Sequence, residues 1–289
     1  MHWVVKYINK YKCHSVMLAS IIVPAYNEEK RIQGFLPSLL SFSKNYLRNC
    51  EIIIVDDGST DSTKSVVQQL IQHYPSAKLI SYPVNKGKGN AVREGVTAAK
   101  GKYILFIDAD GSIPPEEIPN MIEKLKEHQV VVGSRRIDVS KVKTSPLRKF
   151  TGTMFNAYVN LLFRIDIYDN LCGFKGFEKS VAKALFSDLQ SMRWIFDVEL
   201  FYKIRKNNYT MHHLPISWEH REGSKIRLID PVKMAVELLK LRYSLRSYQP
   251  QVQSPASQPI RQPTQQENEL RVTPPHQNDH HQNDQKTGR

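Results

Sequence analysis

The chain alternates short apolar runs with amphipathic stretches over its first half. "SIIVPAYNEE" (20–29) reads as a buried strand interrupted at Pro24 and followed by a helix start. "EIIIVDDGSTDSTKSVVQQLIQHY" (51–74) reads as strand, acidic turn and helix, with Ser59 or Asp61 as the capping side chain. "KLISYP" (78–83) is a short strand, "GKGNAVREGVTAAKGK" (87–102) a glycine-bounded helix and "YILFID" (103–108) the next strand. "PPEEIPNMIEKLKEH" (114–128) then predicts a helix and "VVVGSRR" (130–136) another strand. Strands alternating with helices imply right-handed βαβ units and a mostly parallel central sheet flanked by helices. Such sheets bind ligands beyond the carboxyl ends of their strands. Pro24, Asp56–Asp57, Asp108–Asp110 and Ser134–Arg135 all fall at that edge.

After residue 145 the pattern predicts helices. Leu147, Phe150, Met154, Tyr158, Leu161 and Ile165 recur every three or four positions, and 231–248 forms a second amphipathic stretch carrying Lys233, Lys240, Arg242 and Arg246. From Gln249 the chain is rich in Gln, Pro, Asn and His without an aromatic residue, and disorder is expected over 249–289. Residues 1–18 read as an N-terminal extension, leaving 19–246 as the folded body.

Charge adds a partner class to this picture. The chain of 289 residues carries a formal net charge of +13. The tail beyond residue 248 holds four basic and four acidic residues, so the excess belongs to the body. A basic body suits an anionic partner such as a phosphorylated substrate, nucleic acid or an anionic membrane face. The three cysteines, Cys13, Cys50 and Cys172, are widely spaced and suggest a reducing compartment. No run reaches the ~18 apolar residues of a membrane span, so the expected membrane relation is peripheral.

Chemistry concentrates in four pieces. Asp108 and Asp110 end a buried strand, where alternate residues point the same way and could share one Mg²⁺ or Mn²⁺ with a diphosphate. A bare D-x-D is more often a solvated turn; its position at the strand end favours the metal. Asp57, in the acidic turn after another strand, could accept from a nucleobase N–H or a ribose hydroxyl. "PAYNEE" offers Tyr26 as a stacking surface and Glu28 as an acceptor. "NKGKGNAVREG" sets Lys86 and Lys88 around Gly87 at a helix start, where backbone could approach a phosphate, although the P-loop spacing is absent.

In this order, "VPAYNEE", "VDDGSTD", "NKGKGNAVREG" and "DADGS" resemble the family 2 glycosyltransferases of the GT-A fold, over roughly residues 19–246. "VVGSRR", "CGFKGFEKSVAKALF", "RWIFDVEL" and "WEHREGSKI" are similar to the dolichyl-phosphate β-glucosyltransferases, near relatives of the dolichyl-phosphate mannose synthases. The segment before Cys172 departs from the glucosyltransferase pattern, reading Asp169–Asn170–Leu171 in place of Asp-Thr-Gln. The resemblance implies a Rossmann-like GT-A sheet and an inverting transfer of glucose from UDP-glucose to a dolichyl or other polyprenyl phosphate. It implies that Pro24, Ala25, Tyr26, Glu28 and Asp57 cradle the nucleotide, with Asp56 assisting, and that Asp108 and Asp110 hold the metal. Ser134, Arg135 and Arg148 would face the acceptor phosphate, and Lys86 or Lys88 would help stabilise the leaving diphosphate. Asp197 would orient the acceptor or act as a base; otherwise it caps a helix over 198–207. Helices 147–165 and 231–246 become candidate membrane-interface helices, on the cytoplasmic face of the endoplasmic reticulum in a eukaryote or of the plasma membrane in a prokaryote.

Three other activities fit parts of the pattern: a GDP-mannose-dependent dolichyl-phosphate mannose synthase, a transferase acting on a glycan hydroxyl, and a nucleotide- or nucleic-acid-binding module without catalysis. No nucleic-acid partner is expected, because the aromatic and basic residues do not interleave as single-strand binders require.

Overall fold

A computed structural model describes residues 17–134, 146–165, 172–193, 195–219 and 231–250, with side chains in the helices 146–163 and 231–244 from residues 154 and 235 onward. The first half follows the predicted alternation. Strands β1 (Ala19–Ala25), β2 (Cys50–Asp57), β3 (Ala77–Tyr82), β4 (Tyr103–Ile107) and β5 (Val130–Ser134) alternate with helices α1 (Glu29–Tyr46), α2 (Thr63–Ile71), α3 (Lys88–Ala98) and α4 (Ile118–Lys124). The second half contains α5 (Pro146–Phe163), β6 (Phe174–Glu178), α6 (Lys179–Ser187), α7 (Phe196–Lys206), β7 (Met211–Pro215) and α8 (Pro231–Ser244).

These strands form one seven-stranded sheet in the order β3-β2-β1-β4-β6-β5-β7. β3, β2, β1 and β4 are parallel, which is the doubly wound arrangement the alternation predicts. The expectation of helices alone after residue 145 is corrected by β6 and β7. β6 inserts antiparallel between β4 and β5, and β7 extends the sheet parallel to β5. "FKGFE" is too short and too mixed in polarity to announce a strand. It becomes one because two open edges meet its backbone, a tertiary cause. Pro24 does not break β1; it sits in register with Val55 near the strand end.

Alternation within the strands assigns residues to two cores. Ile21, Val23, Ile52 and Ile54 face α1 and the α2 side, whereas Ile22, Ile53 and Val55 face α3 and the C-terminal helices. All seven are fully buried, as expected for strands covered on both faces.

The apolar stripe expected along α5 holds only in part. Tyr158 packs on the core and Ile165 is buried, whereas Met154 and Leu161 are 59% and 77% exposed and Val159 and Phe163 are buried in their place. The helix is apolar on more than one face, and core shape chose the face. α8 packs on it through Tyr158 Oη donating to the Ala235 carbonyl and Arg242 Nε donating to the Leu162 carbonyl. α8 buries Leu238 and Leu241 and exposes Val236, Leu239 and Tyr243. The expected tail and N-terminal extension lie outside the described residues, apart from Met17–Leu18 and Gln249–Pro250.

Candidate functional site

The loops after β1 and β2 hold each other. Asn27 adopts a left-handed conformation with φ 51°, one that Asn tolerates better than most residues. Its Oδ1 accepts from the backbone N–H of Thr60, and Ser59 Oγ accepts from the Asn27 N–H. Thr63 Oγ1 accepts from the Glu28 N–H, and Asp61 accepts from Glu29 and Thr63 N–H groups. In return Glu29 Oε2 accepts from the Ser62 N–H. The polar residues of "YNEE" and "GSTD" thus satisfy one another's backbone donors, and the two motifs form one rigid edge. Ser59 and Asp61 act in this lock; helix α2 begins at Thr63, beyond both. Within the edge Glu28 pairs with Arg31 at 2.5 Å, while Tyr26 stands 38% exposed beside Pro24 and Ala25 at the end of β1.

Asp56 and Asp57 are both buried. Asp56 accepts from Ser59 N–H and Ser81 Oγ. Asp57 is saturated: Oδ1 accepts from Tyr82 Oη at 2.7 Å and Lys86 N–H at 2.9 Å, and Oδ2 from Asn85 Nδ2 at 2.9 Å and Gly87 N–H at 2.8 Å. Four donors fill the four lone-pair positions of a carboxylate. Burial and the bond to Asp57 both hold the Tyr82 phenol well above its ordinary range. In this arrangement Asp57 fixes the loop that carries Lys86 and Lys88.

That loop is clamped on its other side as well. Gly87 has φ 103°, and a Cβ there would lie 2.4 Å from the Met192 carbonyl oxygen. Met192 in turn accepts from the Asn90 N–H. The Met192 segment is fastened by Glu199, whose carboxylate accepts from Gln190 and Ser191 N–H groups and pairs with Lys203 at 2.8 Å. Glu199 and Lys203 are both fully buried. Sequence reasoning passed over them because their i,i+4 spacing on a helix looks like an ordinary surface pair.

The centre of the site gathers three carboxylates and two ammonium groups. Lys88 Nζ lies 2.6 Å from Asp108 Oδ1. Burial would lower the Lys88 ammonium, but Asp108, Asp197 and Asp110 outweigh it and raise it. Asp110 Oδ1 accepts from the Ser112 N–H. Asp197 pairs with Lys175 at 2.9 Å, and that ammonium also donates to the Cys172 carbonyl and faces the Phe106 ring. The capping role expected of Asp197 is corrected: α7 starts at Phe196, so Asp197 lies inside its first turn, bound to Lys175. Gly173 completes the floor. Its carbonyl accepts from the Asp108 N–H, and a Cβ on it would lie 1.9 Å from Asp108 Oδ2. The absent side chain is the space the carboxylate occupies.

Ser134 ends β5 at the same sheet edge. Arg135 and the Asp169–Asn170–Leu171 segment lie outside the described residues, as does the side chain of Arg148 on α5. "WEHREGSKI" enters as far as Glu219, whose N–H donates to the Ser112 carbonyl.

Among the described residues no group of three or more His, Cys, Asp or Glu side chains is placed to hold a metal by itself, but Asp108 and Asp110 are oxygen donors of the type a hard divalent cation takes together with ligand oxygens, and an ammonium already sits against Asp108.

The family model described as "Glycosyl transferase family 2" matches residues 20–186. A dolichyl-phosphate beta-glucosyltransferase of Dictyostelium discoideum is 37% identical over 255 residues, covering 81% of this chain and 76% of that one. The protein of that name from Saccharomyces cerevisiae is 34% identical, covering 81% and 77%, and the one from Homo sapiens 34%, covering 72% and 69%. Among solved structures, glucosyl-3-phosphoglycerate synthase of Mycobacterium tuberculosis with Mn²⁺, uridine diphosphate and phosphoglyceric acid superposes with a TM-score of 0.58. It is 20% identical and covers 78% of each chain, a likeness of fold.

Proposed function

The chain belongs to glycosyl transferase family 2, and from that premise we propose that it moves glucose from UDP-glucose onto dolichyl or a related polyprenyl phosphate at a membrane surface. One observation carries the acceptor and sugar: relatives from protist, yeast and human that bear the glucosyltransferase name match at 34–37% identity across the folded body. Residues 19–246 act as one catalytic unit in this reading.

Transfer forms a bond between an acceptor phosphate oxygen and the anomeric carbon as the bond from that carbon to the UDP oxygen breaks. Attack opposite the leaving group inverts the centre and gives a β-linked product. A phosphate monoester with a second pKa near ~6 is largely dianionic at neutral pH, so no strong general base is required. Asp197 accordingly needs no free lone pair for proton abstraction. Paired with Lys175, it shapes the field around Asp108. Tyr26, Pro24, Ala25 and Glu28, on the interlocked edge, are assigned to the nucleotide, with Asp56 and Asp57 holding the loops around it. Asp108 and Asp110 would hold Mg²⁺ or Mn²⁺. The metal would supply charge stabilisation for the leaving diphosphate. Lys86 and Lys88 add cationic charge on the same side. Arg135 and Arg148, with Ser134, are assigned to the acceptor phosphate, for which the guanidinium fork is suited.

Membrane attachment belongs to this proposal as well. Among the described residues no helix is long and apolar enough to cross a membrane. Met154 and Leu161 on α5, with Val236, Leu239 and Tyr243 on α8, expose apolar side chains on two helices packed together, near Lys240 and Arg246. That combination suits an anionic interface, assigned here to the cytoplasmic face.

The test is incubation with radiolabelled UDP-glucose, GDP-mannose or UDP-N-acetylglucosamine plus dolichyl phosphate, Mg²⁺ or Mn²⁺, counting label in the organic phase. Label from UDP-glucose is expected, lost in Asp110→Ala and sharply reduced in Arg135→Ala. Label from GDP-mannose alone would overturn the donor. Label only in a water-soluble acceptor would overturn the lipid phosphate.

A further inference from the structure

Lys88 pairs with Asp108, one of the two carboxylates that the proposed function assigns to a divalent cation. Its ammonium is 2.6 Å from Asp108 Oδ1, and its side chain is only one-fifth exposed. The position is built rather than incidental. Asp57 accepts from the Lys86 and Gly87 N–H groups just before it, and the Met192 carbonyl presses on Gly87 and accepts from Asn90 just after it. Gly173 holds Asp108 in place, its carbonyl accepting from the Asp108 N–H and its missing side chain leaving room for the carboxylate. The charged groups facing Lys88 are Asp108, Asp110 and Asp197, the last shared with Lys175. Three carboxylates against two ammonium groups leave the cluster near balance without a metal.

We propose that Lys88 is the resident counter-cation of the donor site, neutralising Asp108 until the donor binds and then turning its ammonium to the leaving diphosphate. This rests on the metal assignment of the proposed function and adds a consequence that assignment does not contain. Lys88 and a divalent cation compete for Asp108, so the site binds metal weakly by itself and more strongly once a diphosphate draws Lys88 away. A bound diphosphate thus gains an ammonium in addition to a metal, and the carboxylates are never left mutually unscreened.

The experiment is titration of the full chain with Mn²⁺ alone, following free ion by electron paramagnetic resonance. Removing one positive charge at this range in a partly desolvated site should tighten Mn²⁺ binding about tenfold in Lys88→Met. Lys88→Arg, which keeps the charge, should bind as weakly as the wild type. Adding UDP should tighten binding in the wild type and change Lys88→Met much less. Equal or weaker Mn²⁺ binding in Lys88→Met, with binding still abolished by Asp110→Asn, would overturn the counter-cation role and leave the metal site standing. Mn²⁺ binding indifferent to Asp110→Asn in every background would overturn the metal assignment itself. Lys88→Gln carries the same expectation and serves if the Met variant does not fold.

Discussion

Gly173→Ala is a single added methyl group aimed at the carboxylate on which the site depends. The new Cβ would stand 1.9 Å from Asp108 Oδ2 and 2.2 Å from its Cγ. Ordinary van der Waals contact begins at 3.4 Å, so the carboxylate must retreat by about 1.5 Å. The backbone cannot yield easily, because Asp108 N–H donates to the Gly173 carbonyl where β4 and β6 pair. Rotation of Asp108 away from Lys88 is the cheaper response. Misplacement of a reacting group by 1 Å costs on the order of 100-fold, or about 2.7 kcal/mol of transition-state stabilisation. The overall fold should survive, because the displaced group is a short, one-third-exposed side chain. The assay is glucose transfer to dolichyl phosphate beside a thermal melt, and the expected result is activity down 100-fold with the melting temperature within a few degrees. Activity within threefold of the wild type would refute the cradle and, with it, the placement of Asp108.

Asp57→Asn replaces one acceptor oxygen with a donor facing donors, stranding up to two buried N–H groups; urea unfolding should show a loss of about 2–4 kcal/mol even without nucleotide. Lys203→Met leaves Glu199 charged and buried, which should cost about 3–5 kcal/mol in the same measurement, and the neutral pair Lys203→Met with Glu199→Gln should recover much of it. Glu51 gives a pH dependence. Burial would raise its carboxyl, but bonds from Ser20, Lys78 and the Lys100 N–H outweigh this and hold it below the usual carboxylate range. A lowered folded value means its contribution is present above the unfolded value near ~4.3 and fades as pH falls through the folded one. Glu51→Gln should therefore lower the denaturation midpoint at pH 7, and the gap from wild type should narrow towards pH 3. A gap constant across that range would sink the assignment.

The alternation of strands and helices through residue 134 was legible because β1, β2, β4 and β5 are buried on both faces, and such strands are written as unbroken apolar runs, whereas the edge strand β3 is only half-buried. The convergence of Tyr26, Asp57 and Asp108 on one edge followed from the parallel pairing of β1 with β2 and β4, and Ser134 joins them because β6, antiparallel to both neighbours, leaves β5 running the same way as β4. β6 was hidden because its strand state is imposed by the edges of β4 and β5, and no window of five residues contains those edges. The exposed faces of α5 and α8 were hidden for a related reason. Helices apolar on several sides do not state which side the core will take.

Residue types and their order thus determined the fold class, the family and the edge where chemistry gathers, since burial pattern and turn chemistry are local properties of the chain. Partnership between charges was decided only in three dimensions. Asp57 and Asp56 are adjacent in sequence, yet Asp57 accepts four donors from the end of β3 and the loop after it while Asp56 joins its own turn to Ser81 of β3. Lys88 meets Asp108 across twenty residues, and Gly173 makes room for that carboxylate from just before a strand the sequence did not announce. Electrostatic energy depends on separation in space and on exclusion of water, and neither is written in the chain until it folds.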